Sequence, residues 1–280
     1  MKRFVPLVLV VGLAPVLTAA QALDSPNPTP DAAAPAMTPA PGLAPTGGVI
    51  PGPLLPLQAT HAVLSGEGLF AKVLEHDRMC EATLRQYSSL RTYSVINDKG
   101  KSYVQEVIAV DFHAPDSKTF VTKSQSGSPL VRALVFDRLV QSEKETSSGR
   151  SHRDSGMKPQ NYILKLIGEQ DVGLYHCLVA EATPRRRDRY LFEGQVWISI
   201  DDYGIVRMAG HPARPLSFWL TRADFVRQYQ KVGGFWLPAE DETLAQVRLY
   251  GKKTLRVKYD DYQVNGAPNA PATGSGPPSP

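Results

Sequence analysis

The sequence predicts an α+β domain built on a strongly curved antiparallel sheet, an unclosed β-barrel, with two or three helices on its concave side. Three observations predict it. Nearly all of the chain between residues 160 and 265 is β-prone and broken by short Asp/Gly turns, and connections that short permit only antiparallel neighbours. Two earlier segments, 66–90 and 128–145, carry apolar residues at helical spacing instead. Residues 194–210 read as a hairpin: Val196, Trp197, Ile198 and Ile200 run into the turn Asp201-Asp202-Tyr203-Gly204, and Ile205 to Met208 lead back.

The ends of the chain read differently. Met1, Lys2 and Arg3 precede an apolar run over residues 4–20, and Ala20-Gln21-Ala22 offers the small-x-small pattern of a signal-peptidase site, so residues 1–22 are expected to be a cleaved signal peptide. Such a leader implies export to an oxidising compartment. Ten of the 24 prolines fall in residues 23–58 and five in 266–280. Pro/Ala-rich segments bury too little apolar surface to offset chain entropy, so 23–58 is expected to be a disordered linker and 266–280 a disordered tail. Residues 59–265 remain as one folded domain.

Within that domain, Leu69, Val73, Cys80, Leu84 and Tyr87 form one stripe of a helix expected over 66–90. Val104, Glu106, Ile108, Val110 and Phe112 then share one face of a strand, and residues 118–123 resume as another with Phe120. Ser128 and Pro129 suit the start of a second helix, bearing Leu130, Val131, Leu134, Val135, Leu139 and Val140. Residues 142–158 are polar and read as a long loop. Strands are expected over 162–167, 174–182, 190–200, 205–209, 217–222, 224–231, 236–250 and 254–264. In the last of them Leu255, Val257 and Tyr259 face one way while Arg256, Lys258 and Asp260 face the other.

No catalytic constellation stands out. His176 and Cys177 are adjacent on a strand and point to opposite faces, and Asp201-Asp202 is ordinary turn chemistry, with His211 a lone neighbour. No metal ligands, cofactor or catalytic residues are assigned, and an enzyme is not expected. A net charge of +4, about +2 without Lys2 and Arg3, leaves no footprint for nucleic acid. The basic run Arg185-Arg186-Arg187-Asp188-Arg189 reads as a solvated hairpin tip, or as a contact for anionic lipid head groups or an acidic partner. Two cysteines in an oxidising compartment are a candidate Cys80–Cys177 disulfide; two buried free thiols are the rival reading.

Gly194-Gln195-Val196-Trp197-Ile198, continuing through Asp201 and Gly204 to Arg207, resembles the G-x-x-W-[VI]-D hairpin of periplasmic outer-membrane lipoprotein-sorting proteins of the LolA-like superfamily. Gly234-Phe235-Trp236-Leu237-Pro238 is similar to that family's G-x-W-L-P entry to a strand, and Lys258-Tyr259-Asp260-Asp261-Tyr262-Gln263-Val264-Asn265 to its final strand. The resemblance covers about residues 66–265. It implies a helical lid, with residues 129–140 as the candidate, over an apolar concavity that holds lipid or lipoprotein acyl chains. Membrane-associated donor or acceptor proteins would be further partners. Where the best-known carriers hold a basic residue directly before a proline, this chain has Ala114 before Pro115, with His113 the nearest polar group.

The expected function is therefore that of a periplasmic, non-enzymatic carrier or binder of acyl chains. Val104, Ile108, Val110, Phe112, Phe120, Leu134, Trp197, Trp219 and Trp236 are the candidate cavity residues. Alternation leaves open which face Trp197 takes. The second reading is a protein-interaction or sensor module on the same fold with a sealed core; an unrecognised hydrolase is a distant third.

Overall fold

Runs of β-branched and aromatic residues between glycine turns make one long antiparallel meander. The computed structural model describes residues 56–58, 64–115, 117–148, 156–188, 190–214, 220–247 and 251–268. The signal-peptide, linker and tail segments expected at 1–22, 23–58 and 266–280 fall almost wholly outside them. Helix α1 (Gly66–Thr83) leads into β1 (Gln86–Asn97), β2 (Ser102–His113) and β3 (Ser117–Gly127), and helix α2 (Pro129–Ser148) follows. The meander continues as β4 (Tyr162–Val172), β5 (Tyr175–Pro184), β6 (Phe192–Ser199), β7 (Ile205–Pro212), β8 (Leu220–Val232), β9 (Phe235–Val247) and β10 (Gly251–Val264), with a short β11 (Ala267–Pro268).

The ten long strands pair in the order β3-β2-β1-β10-β9-β8-β7-β6-β5-β4, and β11 adds to β10. Strands β3 and β4 end that order, so the sheet stays unclosed, as the α+β reading expects. Gln58 forms an isolated bridge to Glu169 of β4, which brings the chain just before α1 onto that margin.

Cross-strand partners share a face, so the register can be followed across the sheet. One row runs Gln125, Glu106, Tyr93, Val257, Asp241, Arg227, Met208, Val196, Ala180, Leu166. Both helices lie on this face. Leu69, Phe70 and Val73 of α1 cluster with Leu164, Ala180, Val196 and Met208 at one end. Val131 and Phe136 of α2 cluster with Tyr93, Val104, Ile108 and Val257 at the other. Burying one such side chain contributes about 1.5–3 kcal/mol, so the two apolar wings hold the helices down.

The next row contains Thr243, Phe225, Gly210, Gly194, Ala182 and Leu164. A Cβ on Gly194 would stand 2.1 Å from the Ala209 carbonyl oxygen and 2.6 Å from Gly210 Cα; one on Gly210 would stand 2.2 Å from the Glu193 oxygen. Strands β6 and β7 approach so closely at this pair that only glycines fit. Phe192 and Phe225 pack edge to face with centroids 5.4 Å apart in the same cluster.

Three expectations are corrected. Helix α1 stops at Thr83 rather than near residue 90, and Tyr87 lies in β1 with its ring stacked on Phe112 at 5.1 Å. Strand β1 alternates with Tyr87, Ser89, Arg91, Tyr93 and Val95 buried. Ser and Arg at buried positions broke the apolar signal that would have marked it. Helix α2 continues to Ser148, through the first part of the expected loop. The two strands expected at 217–222 and 224–231 are one strand, β8, with residues 215–219 outside the described part.

Candidate functional site

The inner face between the two apolar wings carries charge. Arg91, Glu106, Arg227, Asp241 and Tyr259 are each no more than 4% exposed. Asp241 is the hub: Arg227 donates to both of its carboxylate oxygens, from Nε to Oδ1 and from Nη2 to Oδ2 at 2.6 Å. The Tyr259 hydroxyl donates to Oδ2 at 2.7 Å. Arg227 is held well charged although burial opposes it, because the Asp241 carboxylate faces it. The Arg91 guanidinium lies 5.1 Å from the Tyr259 ring centroid and 5.9 Å from that of Phe120. Such stacking offsets part of its desolvation.

Glu106 stands apart from this hub. Directly opposite Tyr93 in the register, it is 2% exposed. Its Oε1 accepts from Thr122 Oγ1 and from Gln125 Nε2, both at 3.0 Å. Its Oε2 is buried and has no hydrogen-bond donor among the described residues. Leaving a buried acceptor unmade costs roughly 1–3 kcal/mol. Val104 and Ile108 on either side of Glu106 pack with Val131 and Phe136 of α2, and Phe136 meets Tyr93 at 5.6 Å, so the unmade acceptor lies beneath that helix.

The sequence-predicted residues separate into two groups. Val104, Ile108, Val110 and Phe112 come together on the inner face of β2, buried to 0–4%, with Phe120 of β3 packed against them. Trp197 belongs to a different cluster from its neighbours Val196 and Ile198: it packs with Cys177, Val179 and Val206 on the outer face. There its Nε1 donates to Gln170 Oε1 at 2.6 Å and the Arg207 guanidinium covers the ring at 5.4 Å. Trp236 packs at the edge of that outer cluster. Trp219 and the side chain of Leu134 lie outside the described residues.

Of the remaining polar candidates, Asp202 is a clip. Its carboxylate accepts from Gly204 N, from Trp236 Nε1 at 3.0 Å and from Lys231 Nζ at 2.7 Å. Burial opposes ionisation, but these donors outweigh it and hold the carboxyl below its ordinary range. A Cβ on Gly204 would collide with the Trp236 ring at 2.1 Å, so the hairpin turn docks flat on that indole. Asp201 and His211 are exposed on different elements, and among the described residues no group of three His, Cys, Asp or Glu could hold a metal ion. Arg185 and Arg186 are knitted to Pro159 O and Asn161 Oδ1, both at 2.7 Å.

Of the two readings of the cysteines, the structure has free thiols. Helix α1 packs on the Leu178 and Ala180 side of β5, while Cys177 points through to the outer face, so the sheet stands between the two sulfurs. The Cys80 Sγ lies 3.3 Å from His76 Nε2. Burial raises both thiols, Cys80 to about 11 and Cys177 to about 12. Iodoacetamide is therefore expected to leave the native protein largely unmodified at pH 7.5 and to alkylate two thiols in denaturant without reductant. One disulfide by intact mass would contradict this.

Asp77 and Glu81 occupy successive turns of α1. Burial, assisted for Asp77 by the Glu81 charge, raises each to about 7, from 3.8 and 4.5. The folded state thus binds these protons more tightly than the unfolded chain. Their contribution is most favourable at acid pH and is lost as pH rises from about 4 through about 7. His176, raised by its hydrogen bonds to Asp171 and Glu169, acts in the same direction. The expected result is a higher Tm at pH 5 than at pH 8, with Asp77→Asn flattening the difference and His176→Gln removing a smaller part.

No protein-family model matches the sequence, and no characterised protein matches it. Solved structures do. An outer membrane lipoprotein-sorting protein domain from Vibrio parahaemolyticus is 10% identical over 72% of this chain and 94% of its own, with a TM-score of 0.42. A DUF1329 family protein from Desulfovibrio piger is 12% identical over 71% of this chain and 93% of its own, at 0.39. A LolA superfamily protein from Nitrosomonas europaea is 9% identical over 74% and 96%, at 0.32. At these identities and scores the likeness extends to no residue and no activity.

Proposed function

We propose that the chain is a non-enzymatic binding protein of the periplasm that takes the acyl chains of a lipid or lipoprotein against its inner face, beneath α2. One observation carries the reading. Among the described side chains, the apolar cluster that runs from Tyr87 and Phe112 across to Val257 and Val264 takes Val131 and Phe136 of α2 as buried members, with Val135, Leu139 and Val140 half-buried. A small apolar footprint on a large apolar face can be exchanged for another apolar occupant with little net change in area exposed to water. Each acyl CH₂ taken from water contributes about 0.8 kcal/mol, so a long chain can offset much of the apolar area lost in lifting the helix. Helix α1 fits no such role: Leu69, Phe70 and Val73 are 0–4% exposed and Ser65 caps its start, its Oγ accepting from Gly68 N at 3.1 Å.

Lipid extraction and native mass spectrometry of the purified mature domain test this, together with uptake of a fluorescent fatty acid. Co-purifying lipid or saturable uptake is the expected result. Absence of both would favour the second reading, a protein-interaction module with a sealed core, which the near-complete burial of Val104, Ile108, Val110 and Phe112 supports.

A further inference from the structure

The buried Glu106 carboxyl has no counterpart in a purely apolar cargo site. We propose that Glu106 is the head-group residue of the site beneath α2, and that the ligand it selects is an amphiphile whose polar end is a primary ammonium. The inference rests on the acyl-chain reading above and names the end of the ligand that reading leaves open.

The chemistry follows from three features. Oε1 is saturated by Thr122 and Gln125, which fix the carboxyl in place from β3. Oε2 is left as an acceptor, buried, with no donor among the described residues. Around it stand Tyr93, directly across the strand pair, and Phe136, against Tyr93. A fixed carboxyl oxygen on the strand position opposite Tyr93, whose ring packs on Phe136, suits a cation that also donates a hydrogen bond, since aromatic faces attract the charge and the oxygen takes the N–H. A quaternary ammonium offers charge without the donor; a carboxylate offers the wrong sign. The flanking Val104 and Ile108 continue directly into the apolar wing, so the tail of the same molecule has a surface to follow.

The test displaces a fluorescent fatty-acid probe with dodecylammonium, dodecyltrimethylammonium and dodecanoate below their micellar concentrations, using wild type and Glu106→Gln, with thermal melts confirming that both are folded. The expected result is that wild type prefers dodecylammonium over both others by about tenfold or more, the worth of one hydrogen bond to a charged group. Glu106→Gln loses that preference and holds dodecanoate at least as well as wild type does, since the like charge is gone. Lysophosphatidylethanolamine against lysophosphatidylcholine then separates a phospholipid head group from a free alkylamine. Equal affinity of wild type for the three ligands overturns the inference and leaves the acyl-chain reading standing, whatever the variant does. Binding of none of them overturns both. A preference that survives in folded Glu106→Gln assigns the selectivity to another residue and also overturns it.

Discussion

Asp241→Ala is expected to lower the stability of the fold by about 3–5 kcal/mol, read as a shift of the urea midpoint at unchanged slope. The carboxylate accepts from Arg227 Nε and Nη2 and from the Tyr259 hydroxyl, and all three residues are at most 4% exposed. Removing it leaves a buried guanidinium uncompensated and a buried hydroxyl without its acceptor. The penalty comes from that orphaned charge, not from any large net worth of the pair. The pair can therefore be exchanged as a unit. Arg227→Met with Asp241→Leu is expected to recover most of the loss, because apolar side chains of similar volume would join Val257 and Met208 on either side of them in the same cross-strand row. A double variant as unstable as Asp241→Ala would show that the belt sets the shape of the sheet as well as its charge balance. Tyr259→Phe, which removes one donor and keeps the ring beneath Arg91, is expected to cost only about 1 kcal/mol.

The same belt explains what could and could not be read from the sequence. The clean alternations were legible: Leu255, Val257 and Tyr259 are buried as expected, and so are the even positions from Val104 to Phe112. Glu106 was visible there as the one acid in phase with an apolar face, which is the signal that could have singled it out. Arg91 carried no such signal. Its strand alternates Tyr, Ser, Arg, Tyr and Val inward, and Leu84 and Tyr87 continue the helical stripe of α1 well enough to hide the break after Thr83. Arg227 and Asp241 lie 14 residues apart on neighbouring strands and nothing in the sequence pairs them, because the bulge between Gln228 and Tyr229 that sets their register is not written in the periodicity. Trp197 shows the opposite limit. Its size marked it as a cavity residue, yet the alternation of β6 carries it to the outer face beside Cys177.

Gly194→Ala is expected to destabilise by more than about 3 kcal/mol, above the 1–3 kcal/mol usual for overpacking. Most overpacked methyl groups are relieved by rotating a neighbouring side chain. Here the obstacles are backbone: the Ala209 carbonyl oxygen at 2.1 Å and Gly210 Cα at 2.6 Å. Relief requires β6 and β7 to separate, at the point where the sheet brings Phe192 against Phe225. The loss should thus spread beyond the site of substitution. Hydrogen exchange is expected to speed up at the amides of both strands, from Phe192 to Ser199 and from Ile205 to His211, while β1 and β2 beneath α2 keep their protection. Gly204→Ala provides the contrast. Its added methyl meets the Trp236 indole, a side chain that can turn aside, so its cost should be smaller and confined to the Asp202 clip. If Gly194→Ala were tolerated as well as Gly204→Ala, the close approach of β6 and β7 would not be what excludes a side chain at that position.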